Sequence, residues 1–230
     1  MTIAGTANRG FAAARALLRR LRDDRSGLAL IEFAYSLPLL TTMTMAGAEL
    51  TNFTTTKMRV SQLALHVADN AARMGTGDIL ALKTISETQI NDVFAGANLQ
   101  GGRLNLLQNG RVILSSVEPV SNPNTTQKFK IGWQRCKGAK VYDSSYGTPT
   151  TTTNVNGVGP AGAQVTAPDN GATMFVEISY TYQPLVSSAF VPKTTISEIA
   201  AMTVRDDRNM TQIYNTEGAS IASCTLYTSS

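Results

Sequence analysis

The chain has 230 residues, enough for one ordinary domain and an appendage, and its 43% apolar, 16% charged composition with two cysteines excludes both a disordered chain and a disulfide-stapled mini-protein. A net charge of +4 and a pI near 9.2 would suit a nucleic-acid binder if the charge were spread over a fold, but it is not. Arg9, Arg15, Arg19, Arg20, Arg22 and Arg25 precede Gly27 against only Asp23 and Asp24, and the fourteen basic residues that follow meet fourteen acidic ones. A basic leader before an apolar run is a membrane-orientation signal, with the arginines held in the cytoplasm, and no nucleic-acid partner is expected.

Residues 28–48, LALIEFAYSLPLLTTMTMAGA, carry one charge in 21 residues. At about 1.5 Å per residue they cross roughly 30 Å of hydrocarbon. A cleaved secretory signal is the alternative, but the run exceeds the usual apolar core of about 7 to 15 residues and no small-x-small site closes it. Arg19-Arg20 is a poor twin-arginine export signal, because Asp23 and Asp24 stand where an apolar run should begin. The expected organisation is a cytoplasmic leader over 1–27, a transmembrane helix over 28–50, a periplasmic helical extension over 51–75 and a periplasmic α+β domain over 76–230.

Glu32 lies about 7 Å inside the apolar run, shallow enough for snorkelling alone to tolerate it. Snorkelling does not account for the ordered series Arg25, Ser26, Gly27, four apolar residues, Glu32 and the aromatic Phe33. This series resembles the processing site of type IV prepilins of the Flp class, and in particular the TadE-like pseudopilins of the tight-adherence pilus machinery. The resemblance implies cleavage after Gly27 by a membrane aspartic prepilin peptidase, with Leu28 as the first mature residue. It implies other pilin-like subunits and inner-membrane lipid as further partners. Gly27 offers no side chain to obstruct a peptidase. The ammonium created on Leu28 can pair with Glu32 of a neighbouring subunit in a staggered helix bundle, which makes the carboxylate a register device.

Beyond Ala48, Val60, Leu63, Ala64, Val67, Ala71 and Met74 recur at helical spacing, so one helix of roughly 70 Å runs from 28 to 74, mildly kinked near Ser36 by Pro38. Gly75-Thr76-Gly77 ends it. Asp78 is placed to cap a second amphipathic helix reaching Phe94, with Ile79, Leu82, Ile85, Ile90 and Val93 on related faces. The period then changes. Residues 111–117, 128–134 (Phe129, Ile131 and Trp133 alternating) and 174–182 (Val176, Ile178, Tyr180 and Tyr182 on one face) read as strands, and 198–205 is a fourth candidate whose alanines also suit a helix. The expected fold is α+β, a small antiparallel sheet packed on the helical region. TadE-like proteins tend to end an aromatic strand in a Tyr-x-Pro-like turn, echoed by Tyr180-Thr181-Tyr182-Gln183-Pro184. Residues 138–172, rich in Thr, Gly, Asn and Pro, read as a long exposed, flexible loop, either a partner or adhesive surface or, as the favoured reading, a tolerated insertion.

Cys136 and Cys224 fall on the oxidising side of the membrane and are expected to form a disulfide. His66, the one histidine, reads as a packing or surface residue, so no metal site and no cofactor are expected. Nucleophile elbows, phosphate loops and zinc spacings are missing from the sequence, which points away from an enzyme. The acceptor triplets at Asn52, Asn124 and Asn209 read as chance matches. Two functional classes follow: a minor pilin or pseudopilin of the tight-adherence pilus, or an uncleaved, single-span anchored periplasmic scaffold.

Overall fold

The computed structural model describes residues 15–24, 26–77 and 82–229. Arg9, Arg25, Asp78 and Ile79, on which some of these expectations rest, lie outside that set. The chain divides into two compact units between Ala48 and Glu49.

In the first unit residues 15–23 are helical, Asp24 is not, and helix α1 (Ser26–Arg73) then begins. It is the one helix among the described residues that is long and apolar enough to cross a membrane, and its most apolar stretch is unburied. Helical geometry continues through Pro38. The hydroxyls of Ser36, Thr41, Thr42 and Thr44 donate to the carbonyls of Phe33, Leu37, Pro38 and Leu40 on the same helix. Each hydroxyl proton is thereby satisfied without water, the condition for keeping such residues in an apolar phase.

The second unit takes in the remainder of α1, where Val60, Leu63, Ala64, Val67 and Ala71 of the expected stripe are buried together with Ala68 and Ala72, and Met74, just past the helix end, is buried too. Gly75, at φ +132°, turns the chain out of the helix so that Thr76 and Thr84 exchange backbone hydrogen bonds. The second helix is not the one expected over 78–94. Helix α2 (Glu87–Gly101) starts at a capping box, the Ser86 hydroxyl accepting from the Gln89 N–H while the Gln89 side chain accepts from the Ser86 N–H. That reciprocal pair satisfies two donors at the helix end, a stronger start signal than any single Asp. Ile85 and Ile90 are buried as expected and Val93 is half-buried, with Phe94 buried beside them, whereas Leu82 precedes the helix and is exposed.

The sheet has strands β1 (Gly110–Pro119), β2 (Phe129–Lys137), β3 (Thr173–Thr181) and β4 (Thr195–Thr203), antiparallel throughout in the order β2-β1-β3-β4. The fold class is therefore α+β, as expected, and the ambiguous fourth segment is an edge strand. Its Ala200 and Ala201 lie against opposite cores, where small residues fit on both faces. Val176, Ile178, Tyr180 and Tyr182 do share a face, packing with Val112, Leu114 and Met174 against the stripe of α1 and against Ile90 and Phe94 of α2. The alternation expected for Phe129, Ile131 and Trp133 breaks at Gly132. Ser116 pairs with Trp133 and Val117 with Ile131, so Gly132 is an extra residue, and this bulge turns Trp133 toward the helices while Phe129 and Ile131 face the other way.

Residues 138–172 correct a second expectation. They hold no long element, yet they cover the far face of the sheet and are not simply exposed. Val158 is buried with Val117, Phe129, Ile131 and Phe175, and Tyr146, Val155, Val165 and Ala167 pack around them. Val155 exchanges backbone hydrogen bonds with Phe129, and the Ile131 N–H donates to the Thr152 carbonyl. Ser144, the Ser145 N–H and Tyr142 donate to Glu177 on the central strand β3. Composition misleads here because a segment with scattered apolar residues can be ordered by a surface that already exists.

Candidate functional site

The expected processing junction lies in the first unit. Gly27 is helical and nothing stands within 4 Å of where a side chain would begin, so its surroundings are open. Leu28 and Phe33 are 62% and 59% exposed and Glu32 is exposed on the same helix. Helical spacing places Leu28, Glu32, Tyr35 and Leu39 along one face. Arg15, Arg19, Arg20 and Arg22 are all exposed on the preceding helical stretch. Gly27, Leu28, Glu32 and Phe33 thus lie close together on one helical length of the first unit.

In the second unit the carboxylate of Glu49, the first residue after the apolar run and one that sequence reasoning passed over, is buried. Its Oε1 accepts from the Tyr182 hydroxyl and from the Leu185 N–H (3.1 Å), and its Oε2 from the Val186 N–H (2.6 Å) and the Ser187 N–H (3.3 Å). Asn52, one turn along α1, donates to the Tyr182 oxygen at 2.8 Å, and Phe53 meets the Tyr182 ring edge-on at 5.1 Å. Burial, and next the hydrogen bond to Glu49, push the Tyr182 phenol up to about 12. It stays a donor at any physiological pH. Four donors on one carboxylate make a fully satisfied latch that fixes the β3–β4 loop to α1. Tyr182 is the residue of the Tyr-Thr-Tyr-Gln-Pro echo that does this. A carboxylate directly closing an apolar run is the one sequence signal that points to such a site.

Cys136 and Cys224 form the expected disulfide, with Cα atoms 4.7 Å apart. Sequence reasoning missed two buried arginines, one of them beside the bridge. Arg111, in the middle of the sheet, donates to the carbonyls of Gly138, Leu226 and Cys224 and stacks 4.1 Å from the Tyr227 ring centre, tying down the same carboxyl-terminal segment. Arg208 donates to the carbonyls of Ala71 and Ala72, which end α1 without helical partners, and burial pulls its guanidinium down to about 10. His66 is exposed and faces an open cleft with Arg59, Gln62 and Arg103. Among the described residues no group of three or more His, Cys, Asp or Glu is placed to hold a metal ion. The amides of Asn52, Asn124 and Asn209 are each hydrogen-bonded within the fold.

Comparison of the chain with family models, curated proteins and solved structures finds no match.

Proposed function

We propose that the chain is a minor pilin or pseudopilin of the tight-adherence (Flp, type IVb) class, a structural subunit and not an enzyme. It sits in the bacterial inner membrane with its amino terminus in the cytoplasm and its folded unit in the periplasm. A prepilin peptidase cuts it after Gly27, and it then packs beside other pilin-like helices. The observation that carries this reading is the ordered series from the arginine leader through Gly27, Glu32 and Phe33 at the start of a helix long and apolar enough to cross a membrane. Two structural facts support it. Nothing stands within 4 Å of where a Gly27 side chain would begin, and the second compact unit begins only at Glu49, a full apolar span further along the chain. A peptidase at the membrane can therefore reach the bond without disturbing the fold.

Mass spectrometry of the mature amino terminus in peptidase-competent cells tests the proposal. Leu28 is the expected first residue, and Gly27→Val, which adds a stiff branched side chain at the junction, is expected to leave the leader attached. A wild-type chain that keeps its leader would overturn the pilin reading in favour of an uncleaved anchored scaffold. In the same cells Glu32→Ala is expected to be processed yet to lose co-purifying pilin-like subunits; undiminished association would remove the register role from Glu32.

A further inference from the structure

The latch at Glu49 holds a loop that exposes apolar side chains. Residues 183–193 connect β3 to β4, closed at the base by the Tyr182 N–H donating to the Thr194 carbonyl. They contain one charged residue, Lys193, and no acid. Leu185 is 67% exposed, Val186 42% and Phe190 38%. Single exposed apolar side chains are ordinary on a protein surface, but three within six residues form a contiguous apolar tip.

The position of that tip is fixed by covalent and hydrogen bonds. The backbone N–H groups of Leu185, Val186 and Ser187 all donate to the Glu49 carboxylate. Glu49 follows Ala48, the last residue of the apolar run, in the chain. In whatever direction that run points, the tip is therefore within one glutamate side chain and one hydrogen bond of its end. Whatever surrounds the end of the run therefore also lies close to the backbone of residues 185–187.

We propose that the β3–β4 loop is a second membrane contact, with Leu185, Val186 and Phe190 entering the boundary between headgroups and acyl chains of the phospholipid bilayer that the 28–48 run spans. Chain continuity with that run selects lipid as the occupant, and the chemistry agrees. Aliphatic and aromatic side chains at a bilayer interface leave water for a less polar phase, and Lys193 at the foot of the loop is free to meet anionic headgroups. Glu49 is then a positioning residue. Its buried charge consumes the backbone donors of residues 185–187, which would otherwise require water and keep the loop out of the interface.

The inference rests on the 28–48 run spanning a bilayer and is independent of processing at Gly27. The test uses the full chain reconstituted in phosphatidylcholine and phosphatidylglycerol vesicles, in a Trp133→Phe background that removes the native indole. A new indole is placed by Phe190→Trp or, as a second reporter, by Leu185→Trp. The control is Val120→Trp, just past the end of β1 that lies away from Tyr182, because Gly110 pairs with Tyr180 while Val117 pairs with Thr173. Replacing the lipid by an analogue brominated on its acyl chains is expected to quench the loop reporters at least twofold more than the control, and Glu49→Gln is expected to reduce that difference. Loop reporters quenched no more than Val120→Trp, in a chain that co-sediments with the vesicles, would overturn the second contact alone. A chain that does not co-sediment would overturn the membrane reading and this inference with it.

Discussion

Arg111 offers the sharpest test of how the carboxyl-terminal segment is held. Arg111→Met keeps much of the buried volume but removes three charge-assisted hydrogen bonds to carbonyls and the stacking on Tyr227. Each such bond is worth about 1.5 to 3 kcal/mol, but the variant also escapes the several kcal/mol that burying an unpaired cation costs. The Cys224 and Leu226 carbonyls sit at the surface edge and can turn to water, whereas the buried Gly138 carbonyl is stranded at about 1 to 3 kcal/mol. Adding the lost cation–ring contact, about 0.5 to 2 kcal/mol, gives an expected loss of about 1.5 to 5 kcal/mol. Replacing Cys136 and Cys224 by Ser opens a loop closed across 88 residues, for which the chain-entropy model gives about 4 to 5 kcal/mol as an upper figure. The two losses should not add. Arg111 and the bridge hold the same segment, and a segment can be released only once, so the triple variant is expected to fall short of the sum by at least about 1 kcal/mol. Urea unfolding of the detergent-solubilised chain, followed by the fluorescence of Trp133 on β2, reads all four corners of the cycle. Additivity to within about 0.5 kcal/mol would mean that Arg111 stabilises the sheet independently of the tail, and the clamp argument would fail.

Two further outcomes are expected from the same assay. Ser86→Ala removes the acceptor of the capping box and should cost about 1 kcal/mol, with α2 amides near Gln89 losing hydrogen-exchange protection; an unchanged midpoint would refute the box as the start signal. Burial raises the Glu118 carboxyl, against opposing contributions from the Ser116 hydroxyl and the Lys130 charge, and Glu177 is raised by burial in the same direction. A carboxyl raised on folding binds its proton more tightly in the native state, so its contribution is fully present below the unfolded carboxylate range and is lost as pH rises through the folded value. Glu118→Gln should therefore flatten the fall in stability from acid to neutral pH and be the more stable chain at pH 7; a steeper or unchanged profile would reverse the assignment.

The sequence by itself determined whatever depends on local order or on composition along one line. Its arginines and apolar run mark a candidate span, its helical and alternating periods give an α+β fold with the Val176, Ile178 and Tyr180 face inward, and two cysteines with no competitor pair with each other. The start of α2 was also written locally, in Ser86 and Gln89, but Asp78 drew the boundary too early because either residue type can cap and only the folded chain shows which donor is satisfied. Other features exist only once distant segments meet. Gly132 becomes a bulge through its register against β1, residues 138–172 are ordered by a sheet face built from elsewhere, and the Glu49 latch joins residues more than 130 positions apart. Nothing in the sequence singles out Arg111 and Arg208, because a buried cation is a poor expectation until carbonyls from remote turns are known to surround it. Burial of a charge is decided by its partners, and those partners are set by tertiary structure.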